Sequence, residues 1–138
     1  MARIAVAALA LITVAACAKP PASDSLDPQA DPIAREFYDD VRGGADLTAE
    51  PHLARELKNP TTASQLEVYR ALMPAEPPQS VELQNWDVST DSTGTTTKLT
   101  DAYHYMDRTL IARTALFKSP GGQDPVIVGF DLTSKPNS

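Results

Sequence analysis

Apolar side chains follow two different periods along the chain. Between residues 31 and 73 they recur every three or four positions, which is the spacing of one face of a helix. After Pro78 they alternate with polar residues, which is typical of a strand with one buried face. The apolar positions of the helical half are Ile33, Ala34, Phe37, Tyr38 and Val41, then Leu53 and Leu57, then Leu66, Tyr69, Leu72 and Met73.

Capping and stop residues predict three helices in this first half. Each predicted start carries a side chain that can accept a hydrogen bond from a free backbone N–H, and each end carries glycine or proline. The second helix is expected to be short. The signals are Asp31-Pro32 and Gly43-Gly44 for the first helix, residues 46–58 followed by Asn59-Pro60 for the second, and the Thr62 and Gln65 capping box with Pro74 for the third.

Four strands are predicted after Pro78. The alternation of the first strand slips near Gln84-Asn85, which predicts a β-bulge. Short connections between consecutive strands favour an antiparallel meander. The apolar positions are Val81, Leu83, Trp86 and Val88, then Leu99, Tyr103 and Tyr105, then Leu110, Ile111, Leu116 and Phe117, whose buried face stays open, and finally Val126, Val128, Phe130 and Leu132. The predicted fold class is α+β, with three N-terminal helices packed on a four-stranded antiparallel curved sheet.

The start of the chain has the pattern of an export signal. Arg3 precedes an almost unbroken apolar run over residues 4–16, which is shorter than the roughly 20 residues that a membrane-spanning helix needs. The run ends Val14-Ala15-Ala16-Cys17, which resembles the lipobox of bacterial lipoproteins. The resemblance implies cleavage between Ala16 and Cys17 and acylation of Cys17. The alternative is an ordinary secretory signal, with Cys17 an incidental residue.

The resemblance to lipoproteins also sets the expected organisation and location. Residues 1–16 are the predicted signal peptide, and residues 17–30 are the lipidated cysteine and a flexible tether rich in Pro, Ser and Asp. The α+β domain is predicted over 31–134, with a C-terminal tail at 135–138. Because Ala18, and not aspartate, would follow the acylated residue, the resemblance implies the outer membrane, with the domain facing the periplasm.

Composition excludes several classes of function. The 138 residues carry a net charge of −6, which argues against binding to nucleic acid through charge. A single cysteine excludes an intramolecular disulfide and a cysteine-based metal cluster. The two histidines, His52 and His104, show no ligand spacing, and neither a metal nor a cofactor is expected.

The order of elements resembles the nuclear-transport-factor-2-like or cystatin-like superfamily, in which helices lie across a curved antiparallel sheet. Enzymes of that superfamily, such as ketosteroid isomerase, hold carboxylates and a tyrosine between the sheet and the helices. Residues of matching type are Tyr38, Asp101 and Tyr103. The resemblance therefore allows an isomerase- or hydratase-like enzyme that uses Tyr38 and Asp101. The alternative is that the strand turns this row of side chains towards solvent.

Four aromatic residues fall in the sheet half and could line a pocket for a small apolar ligand: Trp86, Tyr103, Tyr105 and Phe117. Their other interpretation is simply core. No complete nucleophilic or phosphate-binding motif accompanies them. The sequence therefore predicts a non-enzymatic binding or envelope-accessory module, attached to the membrane through its acylated N-terminus. Its expected partner is an envelope protein or a small apolar ligand, and a homodimer through the sheet is possible.

Overall fold

A computed structural model of the chain describes residues 26–122 and 124–137. Its architecture is α+β, and the sheet is antiparallel with four strands, as the sequence predicted. The elements are α1 (Ala30–Arg42), two short 3₁₀ turns (Leu47–Ala49 and Arg55–Leu57), α2 (Pro60–Leu72), β1 (Ser80–Asp91), β2 (Gly94–His104), β3 (Arg108–Lys118) and β4 (Val126–Pro136).

The prediction of three N-terminal helices is wrong, because only α1 and α2 are α-helices in the described chain. The expected middle helix over 46–58 is instead two 3₁₀ turns. Pro51 explains the break, since it lacks an N–H and disfavours helical geometry at the residue before it. Glu50 accordingly has an extended backbone. The segment is held to the sheet edge by main-chain bonds, in which Ile127 N–H donates to the His52 carbonyl and Ala54 N–H donates to the Ile127 carbonyl.

The helix starts also differ from the predicted caps. Helix α1 begins at Ala30, two residues before the expected first helical residue Pro32, and Asp31 lies in its first turn, where it pairs with Arg35. The cap of α2 is Asn59, whose side chain accepts the Thr62 N–H at 2.9 Å. The predicted capping box is therefore wrong, because Thr62 supplies a backbone donor in place of a capping side chain.

The strands pair in chain order, β1-β2-β3-β4, and every pair is antiparallel. The predicted bulge is confirmed by a register shift between Leu83 and Asn85. A second register shift, which was not predicted, lies opposite the Ala115–Leu116 step of β3. It leaves Val128 of β4 without a partner in β3. It changes the phase of the strand, so Ile127 turns inward while Val128 is exposed, against the simple alternation expected there.

Both helices lie on the same face of the sheet, and the hydrophobic core fills the space between the helices and the sheet. The register resolves the buried face of β3, because Leu110, Ala112 and Leu116 point inward on alternate positions. The other face of the sheet carries no helix among the described elements. The largest fully buried side chains are Tyr38, Leu99, Asp101, Tyr105, Leu110, Leu116 and Ile127.

Candidate functional sites

Three tyrosines meet where α1 crosses the sheet. Tyr38 of α1 stacks on Tyr103 of β2, with ring centroids 3.6 Å apart and ring planes within 9° of parallel. Its hydroxyl lies 2.7 Å from the hydroxyl of Tyr105, and both groups are buried. Desolvation by burial is the main cause that raises the pKa of all three phenols above the ordinary value. These hydroxyls therefore stay protonated and act as hydrogen-bonding groups.

A buried acid cluster lies beside the tyrosines, at the start of α1. Asp101 is only 1% exposed and faces Asp31 and Arg35. Arg35 Nη2 is 3.6 Å from Asp101 Oδ1, and its Nε is 3.0 Å from Asp31 Oδ2. Desolvation, followed by the hydrogen bond and the charge of Asp31, raises the pKa of Asp101 to about 7, while Arg35 opposes the shift. The Asp101 carboxyl can therefore hold a proton near neutral pH.

The structure thus buries both members of the predicted catalytic pair on the helix side of the sheet. It does not join them by a hydrogen bond, because the Tyr38 hydroxyl contacts Tyr105, whereas Asp101 contacts Asp31 and Arg35. The two cavities described below are lined by other residues. Acid–base chemistry needs a substrate within hydrogen-bond reach of both groups. The geometry therefore leaves the enzymatic hypothesis a prediction.

The four predicted pocket aromatics do not form one site. Tyr103 and Tyr105 are buried under α1. Trp86 pairs with Leu99 across the strands but is 43% exposed, because neither helix makes more than slight contact with β1. Phe117 follows the inward Leu116, so alternation places it on the opposite face.

A cavity of about 400 Å³ opens between α1, the first 3₁₀ turn and the start of α2. No pattern in the sequence indicated this cavity. Its apolar residues come from all three segments, and its charged residues come from α1, from the chain between the helices and from α2. The apolar lining includes Phe37, Val41, Leu47, Ala63 and Leu66, and the charged lining includes Asp40, Asp46, Glu50, Lys58, Glu67 and Arg70.

Glu50 is the unusual residue of this cavity. It is 7% exposed although it follows a short surface turn. The pKa of Glu50 is raised to about 7, and desolvation is the largest cause. Hydrogen bonding to Asp40, the charge of Asp40 and the charge of Glu36 add to the shift, whereas the charge of Lys58 opposes it. The sequence pattern did not single out Glu50, because residues 46–58 were expected to form a helix. Only Pro51 after it indicated an extended backbone that could turn the side chain inward.

A second groove, of about 430 Å³, crosses the helix-free face of the sheet. Ala115 and Gly129 form its small-residue floor. Its charges are arranged in opposite pairs across neighbouring strands, namely Asp87 with Lys98 and Arg113 with Asp131. The Arg113 and Asp131 side chains are 3.4 Å apart, and Asp131 also accepts the Tyr69 hydroxyl. Charged side chains of this groove therefore have neighbours of opposite charge within the sheet.

Both histidines take part in hydrogen bonds within the protein. His104 lies 3.2 Å from the Thr109 hydroxyl and 3.1 Å from Glu82 on the neighbouring strands. His52 contributes its backbone carbonyl to the bond from Ile127. Within residues 26–122 and 124–137, no group of three or more His, Cys, Asp or Glu side chains is placed to hold a metal ion.

The lipobox-like residues Val14-Ala15-Ala16-Cys17 lie outside the described residues, as do the predicted signal peptide and most of the predicted tether. In the part of the chain that the structure describes, no helix has the length and apolar character needed to cross a membrane. The chain matches no family model, and comparison with curated proteins and with solved structures finds no match.

Proposed function

We propose that the chain is a bacterial lipoprotein whose acylated Cys17 holds a small α+β domain at the outer membrane, facing the periplasm, and that the domain binds a partner without catalysing a reaction. The observation that carries the proposal is the apolar run ending in Val14-Ala15-Ala16-Cys17, which contains the single cysteine of the chain. Two or three acyl chains would give stable attachment, since each buried methylene contributes about 0.8 kcal/mol.

The placement of the first described residues supports attachment as a tethered domain. Leu26 packs against the core, and Asp27 is 3.6 Å from Lys118 at the end of β3. Residues 17–25 would therefore separate the lipid from a folded body. The element order also supports the resemblance to the nuclear-transport-factor-2-like or cystatin-like superfamily, which we propose on that ground alone.

The open cavity beside α1 supports a binding role. It combines an apolar wall with a few charged groups, the composition that small-molecule sites commonly have. The helix-free face of the sheet is a weaker candidate for a homodimer, because its groove is lined by paired charges. A partner in the envelope, either a protein side chain or a small ligand, is thus more consistent with the described surface than a second copy.

Replacement of Cys17 tests the proposal. In a bacterium that processes lipoproteins, Cys17→Ser should abolish palmitate incorporation and release the protein from the membrane fraction, because serine offers no thiol for acylation. Ala22→Ser is the matched control, since it adds the same hydroxyl nearby and leaves the lipobox intact. Mass spectrometry of the mature wild-type chain checks the same point. A bare thiol, or a chain that keeps its first sixteen residues, would refute the proposal.

An isomerase- or hydratase-like enzyme is the second candidate. One observation favours it, namely that Asp101 is buried with a pKa raised to about 7, which suits a general acid or base. We rank it below the binding module because the lining of neither cavity includes Asp101 or Tyr38. A ligand-bound form in which a substrate lies within hydrogen-bond distance of both groups would reverse this ranking.

A further inference from the structure

The cavity beside α1 has a lining of two kinds. Phe37, Val41 and Leu66 present side chains from both helices, and they form its apolar part. Asp40 and Glu50 interact with each other and add two carboxyl groups to the lining. A ligand that fills this cavity must therefore match both apolar surface and carboxyl groups.

Most other charges of the lining are already used within the protein. Arg70 pairs with Glu67 on the same helix, and the Asp46 carboxylate accepts the Thr48 N–H as the cap of the first 3₁₀ turn. Asp40 and Glu50 remain, and among the described residues neither has a cation within 4.0 Å. Lys58 lines the same cavity and attracts Glu50 from a greater distance. Two carboxyl groups thus face one uncommitted ammonium group.

We propose that this cavity binds an organic cation, a protonated primary amine carried by a short alkyl chain or a single ring, with the ammonium group between Asp40 and Glu50. The inference rests on the proposed binding function and names the class of ligand. The apolar part of the ligand lies against Phe37, Val41 and Leu66. The cavity is within the size range of small-ligand sites, which is about 300–1,000 Å³.

Other classes of ligand fit the cavity less well. An anion would meet two adjacent carboxyl groups, and the guanidinium of Arg70 is already paired with Glu67. A hard metal ion such as Ca²⁺ takes about six to eight oxygen ligands, whereas Asp40 and Glu50 supply two carboxyl groups. An ammonium group needs only a few acceptors and can donate three hydrogen bonds.

Binding of the amine is coupled to a proton. Glu50 and Asp40 face each other closely enough to share a hydrogen bond when one of the two carboxyl groups is protonated, and the charge of Glu36 on α1 favours that proton. The ammonium group replaces the proton, so affinity should rise between pH 6 and pH 8 as the acid pair ionises. Lys58, Glu67, Arg70 and Asp46 are the other charged groups that line the cavity.

Calorimetric titration of the full chain in a neutral detergent tests the ligand class. The probes are 2-phenylethylamine, its neutral analogue 2-phenylethanol and the anion 3-phenylpropionate, which share one ring and differ in charge. At pH 8 the amine should bind about tenfold more tightly than the alcohol, the difference expected for a charge-assisted hydrogen bond, and the anion should not bind. Equal binding of amine and alcohol, or tighter binding of the anion, would overturn the inference.

Two variants test whether the amine binds in this cavity. Glu50→Gln should weaken amine binding about tenfold and remove its dependence on pH, because the amide keeps the shape and loses the charge. Ala63→Trp, at an exposed position of α2 that lines the cavity, should block the probe by volume. Asp87→Asn is the control, since it removes one carboxylate from the opposite face of the sheet.

The outcomes separate this inference from the proposed function. If no probe binds, or if binding survives both Glu50→Gln and Ala63→Trp, the inference fails even when palmitate labelling at Cys17 persists. If the amine binds in the cavity but Cys17 is not acylated, the ligand class holds and the membrane attachment fails. Circular dichroism of each variant confirms that a loss of binding is not a loss of fold.

Discussion

Asp101 and Glu50 are acids that the fold removes from water, and burial is the largest cause of the raised pKa of each. Both pKa values rise to about 7, above the values of 3.8 and 4.5 for the free groups. Between these limits the folded protein binds more protons than the unfolded chain, so the free energy of unfolding falls as the pH rises. The protein should therefore be more stable at pH 5 than at pH 8.

Asp101→Asn tests this at a single residue. The amide cannot ionise, so the variant should lose Asp101's share of the pH dependence, which for one group is about 1.4 kcal/mol per pH unit within the window. Urea unfolding at pH 5, 6, 7 and 8 measures it. At pH 8 the variant should match or exceed the wild-type stability, because no desolvated negative charge remains beside Asp31.

The remaining slope in Asp101→Asn should come from Glu50, and Glu50→Gln should remove that part in turn. Asp101 lies beside the start of α1, whereas Glu50 lies beside its end. Because the two acids are apart, their effects on the free energy of unfolding should add. An unchanged slope in Asp101→Asn would show that Asp101 is ionised in the folded protein at low pH, and would contradict the role assigned to desolvation.

At the scale of an element, the start of α2 depends on one side chain. Asn59 accepts the Thr62 N–H at 2.9 Å and donates to the Glu56 carbonyl at 2.8 Å, so it joins the helix to the preceding 3₁₀ turn. Pro60 follows at the first helical position, where its missing N–H costs nothing. Asn59 and its neighbours Lys58 and Pro60 also line the cavity beside α1.

Asn59→Ala should lower the free energy of unfolding by about 1 kcal/mol, the usual cost of losing an N-cap side chain. Thr62→Ala is the matched comparison, because it removes a hydroxyl three residues later and keeps the backbone N–H that Asn59 accepts. Chemical unfolding of both variants at one pH measures the difference. A larger loss for Thr62→Ala than for Asn59→Ala would mean that the capping box predicted from the sequence forms after all.

At the scale of the whole molecule, the packed body includes residues before α1. Leu26 packs against the core, Ala30 is buried, and the Ala30 N–H donates to the Asp27 carbonyl. A chain that begins at Leu26 should unfold in one cooperative step. A chain that begins at Asp31 should be less stable by about 1–2 kcal/mol, because part of that apolar burial is lost.

Thermal and urea unfolding of the two chains measure this difference. Lys118→Ala in the longer chain serves as the control for the ion pair with Asp27, which both partners expose in part and which should contribute less than about 1 kcal/mol. Equal stability of the two chains would show that residues 26–30 pack without stabilising the domain.

Local periodicity was sufficient for the main elements. Phe37, Tyr38 and Val41 share the buried side of α1, and Leu66 and Tyr69 that of α2, as their spacing predicted. The bulge at Leu83–Asn85 also followed from a slip in alternation. These features depend on neighbours within a few positions, so a single sequence carries them. The prediction of a helix over residues 46–58 was wrong. The spacing of Leu53 and Leu57 is that of a helix, but Pro51 prevents a continuous one.

What the sequence determined by itself is the α+β class of the fold and the pairing of consecutive strands through short turns, since both depend on residues close together in the chain. The tertiary structure alone decided that Asp101 meets Asp31 and Arg35, that Val128 leaves the register of β4, and that Glu50 meets Asp40 in a cavity. Burial and pKa follow from the groups that pack around a side chain, and those come from distant positions whose meeting no local pattern records.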